Sequence, residues 1–444
     1  MGFSWIISLP EKPIIHRYLC FFCMFALSLP AALGQPPTTQ ALPSGALTET
    51  EAVRLGLSRP EVMALREGEI GVAQSDVMAA QRWPNPEFSY TREEASSLPG
   101  DPDQDYFWLI QRFDVSGRRG LKTEAAERRV RAVTHGTELH RIELEAEIRQ
   151  RFYEVLHRER RVRAVGQWAD RMAKVADIVR RRQAAGEVSA YDLRRLVREQ
   201  SSAEARLHSE QASLTHAWER LKALLGLQDP RARASGVAGT LLPAAPPAPL
   251  EIQMAALASR SDLRGLEQQA MAAELEGQAA SRWWLPEIGL GVGIKQIAQG
   301  PFSDSVPLVS ASIPLPLLDR QGAERLRAAA QGQLTRSQYR LAWARAAGDV
   351  RGLWLQANEI SSAARRFREQ TVESAPELVR IAEAAYHGGE ASILELLDAY
   401  RSGLEAEIQA LELEMNARQA HIELDRLTGR SITSAPMQGE RGAW

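Results

Sequence analysis

An internal repeat limits the folds open to this chain of 444 residues. Residues 186–193 read GEVSAYDL, and residues 389–396, which lie 203 positions later, read GEASILEL. Gly226 and Gly429 are separated by the same 203 positions. A spacing that recurs at separate landmarks predicts two copies of one supersecondary plan.

A proline-rich stretch separates the two copies. Pro243, Pro246, Pro247 and Pro249 cannot continue a helix and favour an extended strap. We therefore expect five segments: a signal peptide at 1–34, a first repeat at 47–228, a linker at 229–249, a second repeat at 250–430 and a C-terminal tail at 431–444.

The N-terminal segment has the order of a secretory signal. Basic residues within 12–17 precede an apolar run at 18–29, and small residues follow at 31–34. The run is shorter than the roughly 20 residues that span a bilayer as a helix. Cys20 and Cys23 are the only cysteines and lie inside this segment. We expect an exported mature chain without disulfides or thiolate metal sites.

Each copy should begin with a helix and continue as a pair of strands. Thr48 is a candidate helix cap in the first copy, and we expect that helix to end before Pro84. Phe88 and Tyr90 then alternate with polar residues. In the second copy glycines separate the apolar positions, which we expect to face lipid: Ile288, Leu290, Val292 and Ile294.

Polar and turn-forming residues should connect the strands of each pair. The predicted loops are Glu93–Asp105 and Gln296–Ser305, and residues 106–115 form the second strand of the first pair.

Long helices should fill the rest of each copy. Gly117–Gln183 and Gln321–His387 each span 67 residues, with only Pro376 between them, and would reach about 100 Å as helices. Each turns back at Gly186 or Gly389 into a second helix. Apolar residues follow the coiled-coil steps of three and four: Val165, Trp168, Met172, Val175 and Val179 in the first copy, and Tyr400, Leu404, Ile408, Leu411 and Met415 in the second.

These features together resemble the TolC family of outer-membrane efflux proteins. The resemblance rests on the repeat, on the Pro84-Asn85-Pro86-Glu87 start of the first strand and on the sequence FDVSGRR at 113–119. It covers residues 47–430 and is strongest with the members that serve heavy-metal and cation efflux, the CzcC-like and CusC-like group.

The resemblance implies a mainly α fold with a small β part. Three chains would share one twelve-stranded β-barrel in the outer membrane of a Gram-negative bacterium, and their helices would form a periplasmic tunnel. The implied partners are outer-membrane lipid, a periplasmic adaptor (a membrane fusion protein) and an inner-membrane pump of the RND type. The implied function is passive efflux of small solutes, metal cations or drugs, with no catalysis, no cofactor and no bound metal.

The resemblance also implies a gate at the periplasmic tip. The family's constriction carries two acidic residues separated by two apolar residues, and the matching positions here are Glu395 and Asp398. The family's latch arginine, two residues after the turn glycine, is replaced by Ala391. The nearby candidates for a latch are Tyr386, Asp192, Arg194 and Arg195.

Two alternative functions remain open from the sequence. An outer component of type I protein secretion has the same implied fold, and a periplasmic coiled-coil protein would have the same helices. Nucleic-acid binding is not expected, because the net charge is −2 and the arginine clusters alternate with acidic residues.

Overall fold

The computed structural model describes residues 45–94, 103–227, 236–299 and 302–432. These ranges leave out the predicted signal peptide, residues 229–235 of the predicted linker, residues 433–444 of the predicted tail and residues 95–102 of the first predicted loop. Within them, no helix is both long enough and apolar enough to cross a membrane.

The first copy contains three strands and helices of very different length. In chain order they are β1 (Leu47–Thr48), α1 (Glu49–Leu57), α2 (Pro60–Gln81), β2 (Glu87–Glu93), β3 (Asp103–Phe113), α3 (Arg118–Ala184) and α4 (Ala190–Leu225).

The second copy repeats this order with more interruptions. Its elements are β4 (Val237–Ala238), α5 (Leu250–Ala256) with a 3-10 turn (Leu257–Ser259), α6 (Ser261–Ser281), β5 (Ile288–Gln299), β6 (Phe302–Ser312), α7 (Gly322–Phe367), a π-helical turn (Arg368–Val372), α8 (Ala375–Gly388) and α9 (Ile393–Thr428).

The first helix begins where the sequence predicts but does not continue to Pro84. The Thr48 hydroxyl accepts a hydrogen bond from the Glu51 amide at 3.3 Å, and the Glu51 carboxylate accepts one from the Thr48 amide at 3.0 Å. This capping box satisfies two orphan amides of the first turn. The predicted single helix is wrong because Pro60, which lacks an amide hydrogen, starts a separate helix.

The long helix of the first copy matches its prediction, whereas the second does not. Helix α3 has the predicted 67 residues, displaced by one position. In the second copy the helix stops at Phe367, passes through the π-helical turn and restarts at Ala375. Pro376 explains the break, since its ring displaces the carbonyl of Val372 and its nitrogen donates no hydrogen bond.

The four longer strands form one antiparallel sheet in the order β2-β3-β5-β6. Several of its predicted boundaries are wrong. Strand β3 spans Asp103–Phe113 rather than residues 106–115, and β5 and β6 continue through the predicted loop at Gln296–Ser305. Ladder pairing continues there between Gln296 and Ser305 themselves, because polar side chains remain compatible with an exposed strand.

The coiled-coil positions predicted from the sequence form the cores between the helices. All ten of them are buried. One core lies near the tip and joins α3, α4, α8 and α9. A second core joins α1, α3, α4 and α9, and its large, fully buried side chains include Leu47, Ile148, Phe152, Leu156 and Leu221.

A buried ion network joins the two copies beside the second core. The Arg149 guanidinium, whose side chain is 7% exposed, contacts Glu49 at 2.6 Å and Asp425 at 3.0 Å. The Tyr153 hydroxyl donates to Glu49 at 2.7 Å. Because removing one partner would leave a charge buried without compensation, this network fixes α1 against α3 and α9.

Candidate functional site

One face of the sheet is apolar and exposed. Leu290, Val292 and Ile294 are each at least half exposed, whereas Gly289 and Gly291 are buried and Gly293 is partly buried. Ile288 is partly buried at the start of the strand. The register continues this face across the sheet through one row: Phe88, Leu109, Val292 and Val309.

The opposite face shows why glycines alternate with these residues. A β-carbon added to Gly293 would lie 2.7 Å from the Trp108 ring and 2.7 Å from the Phe107 carbonyl oxygen. Only glycine admits so close an approach of ring and backbone. The sequence pattern indicated a small face, but it did not show that an aromatic residue of β3 covers it.

Arginine–tryptophan contacts fasten the sheet to the helices. The Arg119 guanidinium lies 3.5 Å from the centre of the Trp83 ring, and Arg320 lies 5.7 Å from that of Trp283. In each contact the tryptophan precedes a pair of strands in the chain and the arginine follows the same two strands. Sequence reasoning singled out Arg119 only as part of a motif, because its partner lies 36 positions earlier in the chain.

The two tip turns have the same backbone geometry. Gly186 has φ 79° and Gly389 has φ 78°, which is the left-handed conformation that favours glycine. The amides of Glu187 and Glu390 donate to carbonyls of the preceding helices at 2.9 Å. Each turn therefore ends one helix and places a capping serine for the next.

Glu395 caps helix α9 in the single chain. Its carboxylate accepts hydrogen bonds from the Ser392 amide at 2.6 Å and from the Ser392 hydroxyl at 3.0 Å. These bonds, the amide first, hold the pKa of Glu395 below its ordinary value. The side chain stays exposed and negatively charged at neutral pH.

Asp398 lies on the same face of α9, one turn further along. Its carboxylate accepts a hydrogen bond from Arg401 at 2.9 Å, and both side chains are well exposed. Arg195 of α4 lines the same surface groove of about 690 Å³ as Glu395 and Asp398. The structure thus places one latch candidate beside both carboxylates.

The other latch candidates lie elsewhere. Tyr386 is buried in the tip core, where the Arg182 guanidinium lies 5.7 Å from its ring centre. Asp192 accepts a hydrogen bond from the Ser189 hydroxyl at 2.7 Å, and Arg194 is exposed. Ser392, which the sequence did not single out, caps α9, and Arg182, which the sequence marked only as part of a basic cluster, contacts the Tyr386 ring.

The groove at the tip also has apolar walls that the sequence did not mark. Leu378 of α8 and Leu394 of α9 are 62% and 41% exposed and line it together with the carboxylates. In the residues that the structure describes, no group of three or more His, Cys, Asp or Glu is arranged to hold a metal ion. The tip combines exposed negative charge with apolar surface.

This arrangement of sheet, helices and tip has relatives among known proteins. A family model described as "Outer membrane efflux protein" matches residues 57–227 and 253–430, most of the chain. The chain belongs to this family. Its membership confirms the resemblance to TolC-type efflux proteins and the location in the outer membrane, with helices in the periplasm.

Individual relatives point in the same direction. The efflux protein is 27% identical over 400 residues to the cobalt-zinc-cadmium resistance protein CzcC of Cupriavidus metallidurans, covering 87% of this chain and 91% of the relative. Its fold matches the outer membrane protein VceC of Vibrio cholerae with a TM-score of 0.70 at 18% identity, covering 86% and 96% of the two chains. Crystal structures of CusC match with a TM-score of 0.70 at 17% identity and 89% and 97% coverage.

These similarities confirm efflux as the function. The fold is mainly α with a small β part, as the sequence predicts. The matches favour an outer-membrane efflux channel over a type I secretion component and over a periplasmic coiled-coil protein.

Proposed function

We propose that this efflux protein is one subunit of a homotrimeric channel that passes divalent metal cations passively across the outer membrane. An adaptor in the periplasm and an RND-type pump in the inner membrane would deliver the cations to its tip, and no catalytic step would belong to the chain itself. The observation that carries the trimeric assembly is the unpaired state of both edges of the sheet. The metal cargo rests on the similarity to a cobalt-zinc-cadmium resistance protein.

Strands β2 and β6 each have a partner on one side only among the described residues. Unpaired amides and carbonyls at a sheet edge are not tolerated in hydrocarbon, and membrane barrels contain at least about eight strands. Pairing β6 of one subunit with β2 of the next subunit would remove both edges. Three subunits in a head-to-tail ring would give about twelve strands, within the known range.

The helices next to the sheet support the same head-to-tail contact. Helix α2 packs on α3, α3 on α6, and α6 on α7, so α2 and the first part of α7 stand at the two ends of this row. From Ala346 onward, α7 packs on α9. Both end helices expose apolar residues seven positions apart: Leu65 and Val72 on α2, and Leu334 and Leu341 on α7. Such stripes fit a coiled-coil seam between neighbouring subunits.

The charges of the two end helices are complementary. Helix α2 carries four acidic residues against one arginine, whereas residues 322–351 of α7 carry six arginines against two acidic residues. Opposite charges at facing surfaces favour one partner and one orientation. The charges therefore favour an interface between α7 of one subunit and α2 of the next subunit over an interface between two α7 helices.

The tip is suited to a helical partner and to cations. Leu378 and Leu394 would bury apolar surface against an adaptor helix, in the helix-in-groove mode of recognition. In a trimer, Glu395 and Asp398 would form two rings of carboxylates that attract cations without enclosing them. The similarity to a cobalt-zinc-cadmium resistance protein supports cobalt, zinc and cadmium as cargo.

Metal tolerance tests this function. A strain from which the gene is deleted should lose tolerance to cobalt, zinc or cadmium, and the intact gene on a plasmid should restore it. The matched control is a plasmid carrying Val292→Arg, which we expect not to restore tolerance because the subunit cannot assemble in lipid. Equal metal tolerance with and without the gene would overturn metal cations as cargo.

A further inference from the structure

The two copies differ at one place where the second has a cavity. Helix α3 is continuous, but its counterpart is interrupted by the π-helical turn Arg368–Val372 and by Pro376. A cavity of about 310 Å³ lies at this break, between α3, α8 and α9. π-Helical turns are rare and frequently occur at functional sites.

The α3 side of the cavity is strongly basic. Arg160, Arg163 and Arg171 line it from α3, and all three side chains are exposed. None of the three forms an ion pair with a carboxylate among the described residues. The Arg160 guanidinium donates to the Gly239 carbonyl at 3.3 Å, and Arg171 lies 5.7 Å from the centre of the Tyr400 ring.

Two carboxylates lie near these arginines. Glu407 lines the cavity and is paired with Arg368 at 3.3 Å. Glu159 does not line the cavity; its carboxylate lies 3.5 Å from the Val237 amide nitrogen and within electrostatic reach of Arg160 and Arg163. Among the lining side chains three arginines stand against the single carboxylate of Glu407, so the lining keeps a net positive charge.

The other side of the cavity is apolar. Val372, Pro376, Val379 and Leu404 form its wall. Gly403 leaves room there, since a β-carbon at this position would meet only Val379, at 3.7 Å. A site with guanidinium groups on one side and hydrocarbon on the other suits a ligand with the same division.

We propose that this cavity binds a small amphiphilic carboxylate. The carboxylate would accept paired hydrogen bonds from Arg163 and Arg171, because the planar guanidinium matches its geometry. A short ring or alkyl portion would lie against Pro376 and Leu404. The inference goes beyond the proposed conduction of cations, since the cavity is lined by none of the gate residues.

Benzoate is a suitable probe for this site. Equilibrium dialysis of the purified full-length assembly against radiolabelled benzoate should show one saturable site per chain. Benzamide, which has the same shape without the charge, and acetate, which lacks the ring, should compete at least about tenfold less well. Inorganic phosphate should also compete weakly.

Three variants locate the site within the chain. Arg163→Gln and Arg171→Gln should each weaken benzoate binding by about tenfold or more, since each removes a charge-assisted hydrogen bond. Gly403→Leu should abolish it by filling the cavity, without removing any arginine. The matched control is Arg351→Gln on the exposed surface of α7, which should bind benzoate like the unmodified protein.

Several results would overturn the proposal. The first is the absence of saturable benzoate binding. The second is competition by benzamide, phosphate or acetate that equals competition by unlabelled benzoate, as expected for a basic surface without a defined site. The third is unchanged benzoate binding in the Arg163→Gln and Gly403→Leu variants. None of these results bears on conduction through the channel, so failure here is distinguishable from failure of the proposed function.

Discussion

Glu395 and Asp398 lie one turn apart on α9 and have different local partners. Glu395 caps the helix through Ser392, whereas Asp398 pairs with the exposed Arg401. Replacing Glu395 by alanine would also weaken the helix start, because it removes one half of the capping box. A glutamine keeps the capping box while it removes the charge.

The double variant Glu395→Gln/Asp398→Asn should therefore isolate the role of charge. We expect the unmodified channel to be cation-selective and blocked by multivalent cations added on the periplasmic side, and the double variant to lose this block with an unchanged yield of trimer. Single-channel recording in planar bilayers measures it. Glu405→Gln, an exposed acid further along α9, is the control, and an equal block in all three proteins would exclude these carboxylates from the constriction.

Two partly buried histidines predict how stability depends on pH. Burial, followed by nearby arginines, lowers the pKa of His157 and that of His421 to about 4 each. The unfolded chain, with histidine pKa values near 6.5, therefore binds more protons between about pH 6.5 and 4, so stability falls as the pH falls through this window.

The variant His157→Gln/His421→Gln should show a smaller fall in melting temperature between pH 7 and pH 4.5 than the unmodified protein. Thermal unfolding followed by circular dichroism at each pH measures the difference. His208→Gln is the control, because His208 is exposed. An identical pH dependence in the double variant and the control would show that other groups titrate.

At this scale the sequence predicts local interactions and misses distant ones. The Thr48 cap and the glycines at 186 and 389 follow from neighbouring residues, and the structure agrees with them. Tyr386, a latch candidate from its position, is packed beneath Arg182 and buried. Contacts between separate helices depend on tertiary packing, which neighbouring residues do not encode.

Among the elements, the sheet has the clearest consequence for assembly. Val292 is 61% exposed on the apolar face, and Ser310 is on the opposite face, paired with Gly291. We expect Val292→Arg to impair membrane assembly by about 2 to 4 kcal/mol near the bilayer midplane, and Ser310→Arg to impair it far less. The yield of heat-resistant oligomer on a gel compares them. Equal yields from both variants would rule out lipid contact for Val292.

Element lengths could be predicted wherever periodicity is uninterrupted. The long stretch without proline predicted the extent of α3, and the apolar steps of three and four predicted ten of the residues that are buried in the two cores. The break at Pro376 was not anticipated, because the apolar pattern resumes after it and does not record a π-helical turn. The strands β5 and β6 were predicted too short, since polar residues near a strand end resemble a loop.

For the whole molecule, the two copies are held together inside one chain, but the sheet has two unpaired edge strands and the row of helices has two uncovered ends. The network of Arg149, Glu49 and Asp425 joins the copies. The sequence repeat predicts this pairing of copies. It does not predict the charge difference between α2 and α7, which becomes meaningful only when the structure places them at opposite ends of the row.

Disulfide cross-linking between α2 and α7 tests the head-to-tail trimer most directly. Val72 lies about 14 Å from the sheet end of α2 and Leu334 about 18 Å from that of α7, at 1.5 Å per residue. The predicted mature chain has no native cysteine that could form competing disulfides, because Cys20 and Cys23 lie in the predicted signal peptide. The single variants Val72→Cys and Leu334→Cys are controls. Each should give no cross-linked species of more than two chains, because one cysteine per chain can form only one disulfide.

The double variant Val72→Cys/Leu334→Cys should give, on oxidation in membranes and electrophoresis without reductant, a ladder that ends at three chains. Reduction should return all of it to single chains. A ladder that stops at two chains, one that continues beyond three, or the absence of cross-links between correctly inserted chains would contradict a closed ring of three subunits.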